Sequence, residues 1–257
     1  MRKRILFLLS ALFSAHLLYG SKNVYFIRLN IDENKIELGK FETFPLKQVE
    51  LSIPIGENAD SALFISYMEN ARLRSPGSSL FFLHCMWGAN NGFVRYQFPL
   101  FENDFLGDSS LQIGTIFYIL WDTKPVGYFD NAENAAASGI LLNKVFHWME
   151  AIPIAERERN ILYCHSMGNK VFFTALHGPE VKGPVFGRMI LAAADIDEQE
   201  FYSSLQDGKL FQYCSRVVLL TNTYDYALRL SRAANAYYPL GLGPQMTCLK
   251  YTQITNH

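Results

Sequence analysis

Residues 161–173 read ILYCHSMGNKVFF. An apolar run of strand length stops at Cys164, and a short polar turn holds His165 and Ser166. Beyond Gly168 a second apolar segment has helical spacing, with Val171, Phe172, Ala175 and Leu176 on one face. Strand, tight turn and helix are the setting of a nucleophile elbow, usually written Gly-x-Ser-x-Gly. Its strained turn exposes a serine hydroxyl, and small residues two before and two after the serine let strand and helix pack closely. Gly168 holds the later position, while Cys164, also small, stands where glycine is usual. The plainer reading of Ser166 is a helix cap.

The segments around the elbow repeat the same alternation. SLFFLHC (79–85), IGTIFYILW (113–121), RMILAAA (188–194) and RVVLLTN (216–222) are apolar throughout, as strands buried on both faces are. VYFIRLNI (24–31), KQVELSIPIG (47–56) and MTCLKYTQI (246–254) also read as strands, with polar loop between the first two. Between them lie helical patterns, the longest placing Ala137, Leu141, Val145, Met149 and Ile152 on one face. This predicts an α/β fold: a doubly wound, mostly parallel sheet with helices on both faces. Ligands in such sheets bind at the C-terminal ends of the strands. That edge would gather His84 and Cys85, Trp121 and Asp122, Ser166, Asp195, Asp225 and the residues after Ile254.

The chain has 257 residues, 49% hydrophobic and 18% charged, with 20 Phe and 14 Tyr. That composition suits one large core and excludes a disordered chain. The net charge of −1, without a basic patch interleaved with aromatics, excludes nucleic acid as a partner. Arg2, Lys3 and Arg4 precede the apolar run ILFLLSALFSAHLLYG, the pattern of a secretory signal peptide over residues 1–20. The chain is therefore expected to be exported, to the periplasm, cell envelope or medium, with residues 21–257 as the domain. The same segment offers a route to membrane association. Cys85, Cys164, Cys214 and Cys248 show no zinc spacing, and no metal or cofactor is expected.

A serine nucleophile needs a base, an acid and an oxyanion site. The oxyanion donors are expected to be the backbone amides of Met167, just after the serine, and Met86, in the loop after the strand ending at His84. The His84 ring is read as a structural tie for that loop. Triad order in an elbow fold is Ser, Asp or Glu, then His. Asp225, just past RVVLLTN, is the expected acid, with Asp195 and Asp197 as alternatives that could instead cap helices or bond within loops. Of the six histidines, only His257 follows Asp225, and it comes after the last strand. It is the expected base, although it is also the final residue, and a C-terminally shortened domain is an alternative.

The motifs VELSIP (49–54), FFLHCMWGANNGF (81–93), ILYCHSMGNKVFFTAL (161–176), RMILAAADIDEQEF (188–201) and RVVLLTNTYDYALRLSR (216–232) stand in an order similar to a known family. The sequence resembles the bacterial α/β-hydrolases of unknown function that carry a His-Ser-Met-Gly-Asn elbow. The resemblance covers roughly residues 45–257. It implies the α/β-hydrolase fold, Ser166 as nucleophile, Asp225 as acid and a histidine shortly after the last strand. Cys164, Cys85 and the pair Trp121-Asp122 depart from the family pattern, which bears on the oxyanion site and pocket shape. In this fold Cys85 and Cys164 end neighbouring strands, and Cys214 and Cys248 start two others, so two disulfides or thiol pairs are conceivable beside the simpler reading of four small buried hydrophobes.

The expectation is an exported serine hydrolase with a Ser166–His257–Asp225 triad, acting on a small-molecule or lipid-like ester. Trp87, Trp121, Tyr128 and Phe129 would line its acyl pocket. The alternatives are acyl transfer, and a catalytically inactive binding protein of the cell envelope on the same fold.

Overall fold

The computed structural model describes residues 23–40, 57–74, 77–86, 112–124, 127–235, 237–243 and 251–255. The strands are β1 (Asn23–Asn30), β2 (Lys35–Lys40), β3 (Glu57–Asn58), β4 (Ser78–Leu83), β5 (Ile113–Trp121), β6 (Asn160–His165), β7 (Arg188–Ala192), β8 (Arg216–Leu220) and β9 (Tyr251–Thr255). The helices are α1 (Ser61–Arg74), α2 (Tyr128–Met149), α3 (Ile154–Arg157), α4 (Gly168–Leu176), α5 (Glu198–Gln206), α6 (Lys209–Tyr213) and α7 (Tyr226–Asn235), with a 3₁₀ turn at Leu240–Leu242. The strands form one sheet in the order β3-β2-β1-β5-β4-β6-β7-β8-β9. Strands β1, β5, β4, β6, β7 and β8 are parallel, whereas β2, β3 and β9 join in antiparallel fashion at the two edges.

Burial follows the two-residue period of a strand covered on both faces. Phe117, Ile119 and Trp121 of β5 point into the larger core, and Ile116, Tyr118 and Leu120 into the smaller one. The larger core is filled by aromatic rings from sheet and helices: Phe81 stacks on Phe117, and Phe186 packs edge-on against both Phe81 and Phe146. Helices α1, α2, α4, α5 and α6 all contribute to this larger core. The direction of travel along the sheet explains why. The steps β1 to β4, β5 to β6, β6 to β7 and β7 to β8 all advance the same way, so right-handed crossovers put their helices on one face. Only the step from β4 to β5 goes back, and residues 87–111 of that connection lie outside the described set. The five helices that fill the larger core therefore share one face of the sheet.

One expectation meets a different outcome. Residues 35–40, read as loop, form β2. Glu37 is buried there because Arg28 and Lys35 reach its carboxylate at 3.3 and 2.9 Å. The β1–β2 turn places Asn34 at φ 49°, a left-handed conformation that asparagine tolerates. The strand read at 47–56 lies outside the described residues. No described helix is long and apolar enough to cross a membrane, and the segment 1–20 lies outside the described set.

Candidate active site

The parallel strands end together at Leu83, Trp121, His165, Ala192 and Leu220. The chain leaves β4 and β6 in opposite directions along the sheet, and a crevice between such strand ends is where α/β sheets bind ligands. Ser166 stands there, in a two-residue turn between His165 of β6 and Gly168 of α4. Its φ is +52°, a conformation that costs a residue with a Cβ about 1–3 kcal/mol and persists only where the surroundings hold it. The surroundings do so. The Ser166 N–H donates to the Ala192 carbonyl at 2.9 Å. The Ser166 carbonyl accepts from the Asn169 amide at 3.0 Å, the Asn169 Nδ2 at 2.8 Å and the Asp195 amide at 3.3 Å. Asn169 Nδ2 also reaches the carbonyls of Cys164 and Ala192.

Gly168 is required by the same geometry. A Cβ at this position would stand 2.5 Å from the Leu83 carbonyl oxygen and 2.6 Å from that of His84. The start of α4 is therefore in contact with the end of β4, from which the second oxyanion amide was expected. Met167 is fully buried, and among the described residues no backbone carbonyl accepts a bond from its N–H. Met86, half-buried, packs on the larger core three residues beyond Leu83. Trp87 lies outside the described residues.

His84 ties the loop as the sequence suggested. The Trp121 amide donates to its Nε2 at 3.2 Å, so the ring proton sits on Nδ1 and donates to the Cys85 carbonyl at 2.6 Å. The Trp121 indole N–H returns a bond to the His84 carbonyl at 2.9 Å, and the two rings stack with centroids 5.4 Å apart. Burial holds the His84 pKa down to about 3, the Cys85 hydrogen bond opposing and the neighbouring His165 adding to the shift. With both ring nitrogens committed, His84 is no base. Cys85, Cys164 and Cys214 are buried thiols, so Cys85 and Cys164 are not bridged; Cys248 lies outside the described residues.

The three candidate acids have separate duties. Asp197 caps α5, accepting from the Gln199 amide at 3.0 Å. Asp195, 3% exposed, accepts from the hydroxyls of Tyr128 at 2.8 Å, Ser231 at 2.5 Å and Tyr237 at 3.0 Å. Burial and this carboxylate push both phenol pKa values up, so the tyrosines keep the protons they donate. Asp225, half-buried, uses Oδ1 to accept from the Leu228 amide at 3.1 Å at the start of α7. Its other oxygen takes no hydrogen bond among the described residues. Its charge is felt at His165, whose pKa burial lowers and Asp225 raises in part. The His165 Nδ1 is buried and has no hydrogen-bond partner among the described residues.

The last strand departs from expectation. β9 is antiparallel to β8, with Tyr251 beside Leu220 and Thr255 beside Arg216. The Ser166 edge of the sheet is therefore at Tyr251. Thr255 lies about 13 Å away along the strand. Thr255 thus stands at the edge opposite Ser166, whereas the residues after Ile254 were expected beside it; His257 itself lies outside the described residues. His147 is bonded to Glu150 and the Pro179 carbonyl, and His177 to Glu200. The expected aromatic lining is also redistributed: Trp121 is buried against His84, Tyr128 serves Asp195, and Phe129 is exposed.

Among the described residues no cluster of His, Cys, Asp and Glu is placed to hold a metal ion. No curated protein and no solved structure matches the chain. The family model described as alpha/beta hydrolase of unknown function (DUF900) matches residues 104–241, which include β6, the elbow, β7, β8 and the Asp225 turn. The chain belongs to this family of alpha/beta hydrolases.

Proposed function

We propose that the protein is a serine hydrolase that cleaves carboxylic esters through an acyl-enzyme. The observation that carries this reading is the left-handed backbone of Ser166, braced on three sides at the end of a central strand in a member of a hydrolase family. Strain of this kind clusters at active sites, ligand clamps and switch regions. Ser166 Oγ attacks the acyl carbonyl and its proton passes to an imidazole. The Met167 and Met86 amides bind the oxyanion, and collapse expels the alcohol, which takes the proton from the imidazole. Water then repeats the sequence on the acyl-enzyme and releases the acid, with no cofactor. Asp225 stabilises the imidazolium.

Chain order assigns the base to His257. The direction of β9 favours a second reading, in which the base is His165, the described histidine at this edge with an uncommitted ring nitrogen and the Asp225 charge nearby. The exposed side chains of Phe129, Tyr224, Tyr226 and Leu230 fit an apolar, lipid-like acyl substrate. The signal-like segment 1–20 fits an exported enzyme.

Labelling with a fluorophosphonate probe tests the reading. Wild type is expected to label and Ser166→Ala not to. Loss of labelling in His257→Ala alone assigns the base to His257, and loss in a folded His165→Ala alone assigns it to His165. A folded wild type that does not label overturns the enzyme reading.

A further inference from the structure

Asp195 is a buried carboxylate that the proposed chemistry leaves unused. Burying a charge is costly unless hydrogen bonds or a counter-charge offset it. Here the offset comes from three hydroxyls, from the first turn of α2 (Tyr128), from α7 (Ser231) and from the residues after α7 (Tyr237). Asn235 sets their direction. Its Nδ2 donates to the Tyr128 oxygen at 2.8 Å and to the Ser231 oxygen at 3.1 Å, which leaves both hydroxyl protons for Asp195. The Lys170 ammonium lies over the rings of Tyr128 and Tyr237, at 6.0 and 5.7 Å from their centroids. A carboxylate with these commitments does not orient an imidazole.

Its backbone has a second engagement, because the Asp195 N–H donates to the carbonyl of Ser166. The same residue thus holds the nucleophile's turn through its main chain and α7 through its side chain. Asp225 stands directly before α7 and caps it, so the roll of α7 fixes where the Asp225 carboxylate lies. A parallel link runs through Gly241, which donates to the Ala194 carbonyl at 2.9 Å and accepts from the Asn222 amide at 2.8 Å. A Cβ at Gly241 would stand 2.3 Å from the Ala194 nitrogen, so the two segments touch backbone to backbone.

We infer that Asp195 is a positioning residue that fixes the Asp225 turn relative to the Ser166 turn by clamping α7 to the elbow. This rests on the proposed roles of Ser166 and Asp225. Asp195 touches no reacting atom in this scheme. It acts through geometry, and its loss shifts the acid against the nucleophile.

The test uses the full chain with Asp195→Asn, which keeps the shape and removes the charge, and Tyr237→Phe, which removes one donor. Two readouts are taken on folded protein. The first is the saturating rate of fluorophosphonate labelling against the probe concentration giving half that rate. The second is amide hydrogen exchange in peptides covering residues 163–170 and 222–232, with the β1–β2 hairpin as reference. Asp195→Asn is expected to lower the saturating rate about tenfold or more, as small misplacements of reacting groups do, with the half-saturating concentration nearly unchanged. Both peptides are expected to exchange faster together while the hairpin does not. Tyr237→Phe should move both readouts the same way by less. Wild-type labelling rates in Asp195→Asn, or faster exchange in one peptide only, overturn the inference. If wild type does not label, the hydrolase reading fails and the exchange result still decides the clamp: joint loosening supports it, separate loosening overturns it. If Asp195→Asn does not fold, Tyr237→Phe decides by the same criteria.

Discussion

Gly168 packs against Leu83 so closely that a Cβ on it would lie 2.5 Å from the Leu83 carbonyl oxygen. The obstacle is backbone of a central strand and cannot swing aside. Gly168→Ala is expected to cost about 2–3 kcal/mol, the upper range for overpacking, and to slow labelling by shifting the elbow. Gly183→Ala is the control, since nothing lies within 4 Å of a Cβ there. Urea denaturation of the two variants should show a large fall for the first and little change for the second. Equal midpoints would contradict the contact.

Ser166 itself trades stability for placement. Glycine adopts a positive φ without the Cβ penalty. Ser166→Gly is expected to abolish labelling and to raise unfolding free energy by about 1 kcal/mol. Ser166→Ala should abolish labelling with stability close to wild type, because alanine keeps the Cβ. A Ser166→Gly protein less stable than Ser166→Ala would mean that the turn is unstrained.

Asp225 can be neutralised without uncapping α7, because asparagine also accepts from the Leu228 amide. Asp225→Asn is expected to unfold within about 0.5 kcal/mol of wild type. Its labelling rate should fall by about 10³-fold or more, the scale on which the acid of a serine triad matters. Unchanged labelling would remove Asp225 from the mechanism and leave it as a cap.

His84 predicts a pH dependence. Its pKa is about 3 in the folded protein against an ordinary 6.5. Between those values the unfolded chain binds a proton that the folded chain does not, so stability is full above pH 6.5 and falls as pH drops toward 3. The lowered pKa of His165 acts in the same direction. Wild type should lose more stability between pH 7 and pH 4 than His84→Gln, even though the variant starts lower. Parallel curves in urea titrations at the two pH values would show that His84 does not stay neutral in the fold.

The central strands were legible because nothing in them competes with burial: residues 113–121 read as a strand, and β5 has those bounds. The elbow was legible for a local reason, since strand, turn and helix are contiguous. What failed to show was set by distant residues. β2 hides behind Glu37, which reads as surface until Arg28 and Lys35 are seen around it. The direction of β9 depends on where the preceding chain returns. Leu240–Leu242 is bonded to Ala194, Ile196 and Asn222 at the Ser166 edge, the edge at which β9 begins with Tyr251. Nothing in YYPLGLGP (237–244) announces this. The hydroxyls around Asp195 come from positions 128, 231 and 237, and no spacing rule connects them.

The stacking of Trp121 on His84 has an optical consequence. The indole is 1% exposed and lies face to face with an imidazole at the strand ends beside the elbow. Its emission is expected to be that of an apolar site. The protein therefore carries its own fluorophore at the edge of the crevice. A ligand or variant that disturbs the loop after β4 should be visible in the wavelength and intensity of tryptophan emission, without any label attached.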